Sequence, residues 1–258
     1  MAMAVACASC SEVDTTNEVS DAGAPAGGYL AWHVKTPTSE GYTIPFCTGT
    51  LIAPDVVLTA AHCVDDLDVK RAEAVALGNT LLGMGFGMGD DGNGGGVKRS
   101  IVAVKVIQTS PGYVRDEAAH DLAYLVLEAP IAGGMATVGR VAPKASCGYV
   151  TVGYGIDKPD YVPGAALGPR DRGLRKEVSL CVPEGSTRGA FIGAVVHGRG
   201  MLCFGDSGGP LLTSGGELSG VLSQAETCEP GVEVRYAPVA SNLDFVDEAL
   251  AQSRAPRR

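Results

Sequence analysis

From Tyr29 onward the chain is cut repeatedly into short apolar runs separated by turns. Twelve runs stand out: YLAWHV, CTGTLIA, VVLTAA, AVALG, IVAVKVIQT, LAYLVLE, YVTVGYG, LRKEVSLCV, AFIGAVV, GPLLT, LSGVLSQ and VEVRYAPVA. An amphipathic helix needs apolar residues recurring every three or four positions over a longer span. Short runs bounded by glycine and proline suit strands. The 36 glycines and 15 prolines supply the punctuation. Strands without helices between them predict an antiparallel all-β protein, not the alternating pattern of a parallel sheet. A break at EAPIAGG, residues 128–134, divides the runs into two sets of about six. The expected fold is therefore two six-stranded antiparallel β-barrels with a cleft between them. Residues 29–128 would form the first barrel and 129–258 the second. Only SNLDFVDEALAQSR near the C-terminus has helical spacing, through Leu243, Phe245, Val246, Ala249 and Leu250. It predicts a C-terminal α-helix, with Asn242 placed to cap it.

Two stretches fall outside that pattern. LLGMGFGMGDDGNGGGVKR, residues 81–99, is low in complexity and is expected as a long loop. Its Asp90, Asp91 and Asn93 carry oxygens that calcium could use, but the ligand count and bidentate glutamate of a calcium loop are missing, which favours a solvated loop. Residues 1–28 are expected as an export or tether segment. MAMAVACASC is apolar but lacks the positive start and full apolar stretch of a signal peptide. Its CASC outlines a lipidation box with Cys10 as acceptor, so a lipid anchor stays open. The segment fits a truncated export signal and a misplaced start alike. The following SEVDTTNEVSDAGAPAGG reads as a flexible tether.

Charge and cysteine content narrow the function classes. A net charge of −9 without a basic patch argues against a nucleic-acid partner. The short cluster RDRGLRK, residues 170–176, is read as a solvated loop. Eight cysteines are many for a reducing cytosol and favour a secreted or periplasmic protein. No apolar run is long enough for a membrane-spanning helix. No metal or cofactor is expected, and a monomer is.

The chemistry concentrates in three places. GDSGGP, residues 205–210, reads as a turn, or as a nucleophile on a tight turn whose N–H groups face a substrate carbonyl. Gly205 and Gly208 allow close backbone approach. Of the four histidines, His33, His62, His120 and His197, His62 lies in TAAHC, where an apolar strand enters a short turn. Asp121 opens the apolar run DLAYLVLE, where a buried carboxylate would need a hydrogen-bonded partner. A serine hydroxyl is a weak nucleophile until an imidazole takes its proton, a carboxylate orients that imidazole, and N–H donors meet the oxyanion.

The order histidine, aspartate, serine resembles that of trypsin/chymotrypsin-like serine peptidases and differs from the orders of subtilisin-like enzymes and α/β-hydrolases. TAAHC, DLAYLVL, GDSGGP, SGVLSQ and PGVEVRYAPV all fall in the family's sequence, from about Tyr29 to the C-terminal helix. The resemblance implies Ser207 as nucleophile, His62 as general acid/base and Asp121 as its orienting carboxylate. It implies an oxyanion hole from the amides of Gly205 and Ser207. Ser223 would bond near the buried Asp121 and, with Gln224, begin the strand that pairs with substrate. The specificity pocket would have Met201 at its floor and Ala225 and Gly231 at its walls. A methionine floor cannot hold a cation, and Ala225 narrows the slot, so small or medium apolar residues are expected before the scissile bond. The family's bridges map to Cys47–Cys63 and Cys203–Cys228. Cys147 matches a family position whose usual partner falls near Thr213; here Cys181, on the strand expected beside it across a hairpin, is paired with it instead.

One feature of the family is missing. Activated members start at a new N-terminus, usually Ile-Val-Gly-Gly, whose ammonium pairs with the aspartate beside the nucleophile, here Asp206. No such motif stands upstream; Val19 and Ala24 are weak candidates. Either another group satisfies Asp206, or an unrecognised cleavage supplies it, or the oxyanion hole orders only with substrate. The expected function is an exported serine endopeptidase acting on proteins or peptides. Two alternatives are a catalytically weak homologue that binds protein, and an esterase using the same triad.

Overall fold

A computed structural model describes residues 26–89, 101–132, 134–158, 161, 173–198 and 200–254. The N-terminal tether with Cys7, Cys10, Val19 and Ala24, the loop residues Asp90, Asp91 and Asn93, and residues 170–172 lie outside the described residues.

Six strands close the first barrel: β1 (Gly27–Thr36), β2 (Ser39–Ala53), β3 (Val56–Thr59), β4 (Thr80–Gly87), β5 (Ile101–Thr109) and β6 (Ala123–Leu127), in the order β1-β2-β3-β6-β5-β4. Its interior is filled by Leu30, Leu51, Leu58, Phe86 and Leu125, all fully buried. The second barrel runs β11 (Pro210–Thr213), β8 (Ser146–Gly153), β9 (Lys176–Val182), β10 (Ile192–Val196), β13 (Glu233–Pro238) and β12 (Glu217–Ala225). Pairing of β11 with β12 closes it, and the two-residue β7 (Thr137–Val138) lies parallel on β12. Leu180, Ile192, Leu211, Val234 and Tyr236 fill it. Closure pairs the strands of each barrel around its circumference, while the end of β12 from Ser223 to Ala225 runs past its partner β11, which pairs only as far as Val221.

Helix α2 (Leu243–Arg254) follows the second barrel but packs on the first, through Phe245, Val246 and Ala249. Tyr124 on β6 sits 5.3 Å from the Phe245 ring and donates to Glu248 at 2.9 Å. The tail thus clamps the two halves. Between the barrels, Tyr29 and Ala31 meet Val152 and Tyr154 in a small buried cluster.

Three expectations change here. The run AVALG is not a strand: Leu67–Ala76 forms helix α1, followed by a turn. That helix buries no residue, so no apolar stripe marks it in the sequence. Good helix formers and the pairs Lys70–Glu73 and Arg71–Asp68, at 3.2 and 3.3 Å, support it instead. The presumed loop at 81–99 begins with strand β4. Its glycines disguise it, yet they are where bulky neighbours approach: Ile101 packs over Gly85 and the Tyr29 ring over Gly87. Asn242 does not spend its side chain on capping. Its amide donates to Ala119 O at 3.0 Å and Pro238 O at 2.7 Å, and its oxygen meets His120 Nδ1 at 2.7 Å. It ties the start of α2 to the loop that leads into Asp121.

Candidate active site

Strand pairing brings the histidine and the aspartate together. β3 pairs antiparallel with β6 in a register that sets Thr59 against Ala123. The chain leaving β3 and the chain entering β6 therefore share one end of the barrel. His62 stands there in a single 3-10 turn, Ala61–Cys63, behind the fully buried Ala60 and Ala61. The Cys47–Cys63 disulfide fastens that turn to β2.

Asp121 accepts hydrogen bonds from three donors. Its Oδ1 takes the His62 backbone N–H at 2.9 Å. Its Oδ2 lies 2.7 Å from His62 Nδ1 and takes the Ser223 hydroxyl at 2.6 Å. Its side chain is only 4% exposed, against 30% for His62. A carboxylate facing Nδ1 fixes the neutral imidazole with its proton on that nitrogen, which leaves Nε2 as the atom able to accept a proton.

Ser207 comes from the other barrel. It sits on the turn before β11, between Asp206 and Gly208. The N–H of Gly208 donates to Leu222 O at 2.7 Å, which pins the turn to β12. Gly208 has φ +85°, and a Cβ there would run into Thr48 O and Thr59 Oγ1 of the first barrel. Only glycine lets the turn sit this close. Thr48 adds a clip: its N–H donates to Ser207 O at 2.8 Å and its hydroxyl to Gly205 O at 2.9 Å, while it accepts the Tyr154 N–H at 3.2 Å. The N–H groups of Gly205 and Ser207 donate to no described residue, which leaves both for a ligand. Gly205 has φ +97°.

A cleft of about 750 Å³ opens between the barrels, lined by His62, Asp121, Ser207, Ser223, Gln224 and Ala225 among others. Gln224 reaches across it to Asp116 O at 2.7 Å. Two residues expected at the pocket do not line it. Met201 is buried in a cluster with Ile156 and Cys203, with Tyr161 and Cys228 packed against them. Its flexible thioether fills that gap under the cleft rather than opening into it. Gly231 is exposed in the turn before β13.

Among the described residues three disulfides form, Cys47–Cys63, Cys147–Cys181 and Cys203–Cys228. The sulfurs of Cys47 and Cys63 cluster with His62 in a way that could suggest a metal, but the bridge occupies both.

Asp206 is fully buried. It accepts the N–H groups of Gly155 and Cys203, each at 2.8 Å, and pairs with Lys176 Nζ at 2.7 Å. Burial pushes its carboxyl up from the usual range, and Lys176 and the two amides pull it back. Lys176 is thus not part of a solvated loop; it is the first residue of β9 and its side chain is 11% exposed. Gly153 lies beneath this pair, and a Cβ there would strike Asp206 Oδ1. Gly153→Ala should cost about 1–3 kcal/mol. In a thermal melt that is a fall of roughly 2–4 °C in Tm per kcal/mol; an unchanged Tm would mean Asp206 is not held this tightly.

Two closed antiparallel barrels, with histidine and aspartate on one and serine on the other facing a shared cleft, define the chymotrypsin-like class of fold. The chain belongs to the trypsin family, whose family model matches residues 21–246. It is 26% identical over 214 residues to a trypsin of Saccharopolyspora erythraea, covering 80% of this chain and 87% of that one. It is 29% identical over 223 residues to the cercarial protease of Schistosoma mansoni, covering 78% and 79%. Among solved structures, human heparin binding protein superposes with a TM-score of 0.60 at 22% identity, over 89% of this chain and 94% of that one. Mouse neuropsin, a serine protease, superposes at 0.58 with 18% identity, over 88% and 94%.

Proposed function

We propose that the chain is a serine endopeptidase that hydrolyses peptide bonds in the inter-barrel cleft, with residues 29–128 and 129–258 as its two halves. One observation carries the reading: His62 Nδ1 lies 2.7 Å from a buried Asp121 carboxylate while Ser207 lines the same cleft. In this mechanism Ser207 Oγ attacks the scissile carbonyl as His62 Nε2 takes its proton. The N–H groups of Gly205 and Ser207 receive the oxyanion. The C–N bond then breaks, and His62 returns the proton to the leaving amine. Water repeats the sequence on the acyl-enzyme and regenerates Ser207. Asp121 holds the imidazole in place and stabilises the imidazolium. Substrate lies along β12 from Ser223 through Ala225 and pairs with its backbone.

Small or medium apolar residues are the preferred side chains before the scissile bond. Support comes from what lies under the cleft, apolar Met201, Ile156 and the Cys203–Cys228 bridge, while the acids of the cleft lining, Asp116, Glu226 and Glu229, are exposed to water. The buried acids Asp121 and Asp206 are both already paired. Desolvating a lysine or arginine there would leave it without a partner. The three disulfides and the absence of a membrane-crossing helix among the described residues support a secreted or periplasmic site of action.

A peptide-library digest read by mass spectrometry tests both parts. Cleavage after alanine, valine and leucine is expected to exceed cleavage after lysine and arginine by about 100-fold. Preferential cleavage after basic residues would refute the pocket assignment; no cleavage of any peptide would refute the peptidase.

A further inference from the structure

The sequence offers no good source for an N-terminal ammonium at Asp206, yet the structure leaves Asp206 with a cation. We propose that Lys176 is the positioning residue that orders the nucleophile turn from within the chain, so that Ser207 is competent without any N-terminal cleavage. This rests on the peptidase reading above.

The geometry is specific. Lys176 Nζ lies 2.7 Å from Asp206 Oδ2 and donates to Ile156 O at 2.8 Å. Both groups are withdrawn from water, at 11% and 0% side-chain exposure. A buried carboxylate without a counter-ion is strongly disfavoured, so the pair fixes where Asp206 can sit. That position determines the backbone on both sides. The Asp206 side chain accepts the N–H of Gly155 and of Cys203 at 2.8 Å, its own N–H donates to Cys203 O at 3.0 Å, and its carbonyl takes the Gly209 N–H at 2.9 Å. Gly205 and Ser207, whose amides are left for the oxyanion, flank it directly. A lysine on the first position of β9 is part of the sheet and is present from the moment the barrel forms. A newly cut terminus would arrive only after processing.

The test uses the full chain with its N-terminus shown by mass spectrometry to be intact. It is treated with a fluorophosphonate and assayed on alanyl and leucyl peptide anilides. The intact chain is expected to be labelled on Ser207. Lys176→Met is expected to lower both labelling rate and kcat by about 100-fold or more, the scale of losing an oxyanion donor. KM should move by less than about threefold, because the substrate strand is untouched. Hydrogen exchange should accelerate at the amides of Gly155, Asp206 and Gly209 while those of β3 and β6 keep their protection. Labelling confined to molecules trimmed at the N-terminus would overturn the proposal, as would wild-type labelling and exchange in Lys176→Met. If Lys176→Met does not fold, the double variant Lys176→Met/Asp206→Asn removes both charges together. It should fold and label about 100-fold slower than wild type, and wild-type labelling there overturns the proposal. If no form of the chain is labelled, the peptidase reading fails by itself. The exchange comparison then decides the role of Lys176 alone, acceleration supporting it and no change refuting it.

Discussion

Ser207→Ala is expected to abolish fluorophosphonate labelling and to lower kcat on peptide substrates by a factor on the order of 10⁶. The loss is so large because the triad acts as a unit: without the oxygen, His62 has no proton to take and no acyl-enzyme forms. Residual turnover would come only from the oxyanion donors and substrate binding. The fold should survive the change. The Ser207 hydroxyl makes no hydrogen bond to any described residue, and the turn is held by backbone, with Ser207 O accepting from Thr48 N at 2.8 Å and Gly208 N donating to Leu222 O at 2.7 Å. An unchanged Tm beside lost activity is therefore the signature to look for. KM should stay near its wild-type value, since β12 presents its edge as before. Turnover within about 100-fold of wild type would reject Ser207 as the nucleophile.

Much of this site could be read from the sequence because its chemistry is local. His62, Asp121 and Ser207 each lie beside a strand end in a run of small or apolar residues, and the barrel topology brings those ends together. Gly208 was readable too, as a residue that another backbone must approach. What stayed hidden depended on contacts between distant segments. β4 looked like a loop because Gly85 and Gly87 only make sense once Ile101 and the Tyr29 ring are seen against them. Helix α1 buries none of its residues, so its pattern carries no stripe to detect. Met201 has the right sequence position for a pocket floor, but its side chain turns into the cluster with Ile156 and Cys203. Asn242 sits where a cap belongs, yet its amide is used 122 residues away at His120. Lys176 did leave a trace. Strands alternate faces, and Val178, Leu180 and Val182 point inward, which puts Lys176 on the same inward face. A cation on a core-facing position needs a buried acid, and Asp206 was the acid lacking a partner.

Asp121→Asn is expected to reduce kcat by about 10⁴ at neutral pH, less than loss of the nucleophile but far more than loss of one ordinary hydrogen bond. Asp121 takes three donors: the His62 N–H at 2.9 Å, His62 Nδ1 at 2.7 Å and the Ser223 hydroxyl at 2.6 Å. An asparagine has one acceptor oxygen and an NH₂ that can only donate. If the oxygen keeps the His62 backbone N–H, the NH₂ faces Nδ1. The imidazole must then accept there and carry its proton on Nε2, the atom that has to receive the proton of Ser207. If the amide is turned the other way, the buried backbone N–H of His62 meets a donor and loses its partner, which costs about 1–3 kcal/mol. Neither orientation keeps both bonds. The variant should therefore differ from Ser207→Ala in kind: it loses some stability as well as rate, and it remains open to slow fluorophosphonate labelling because the nucleophile is still present. Turnover and labelling equal to wild type in Asp121→Asn would mean that the imidazole is oriented by some other group, and the close contact between His62 and Asp121 would be structural only.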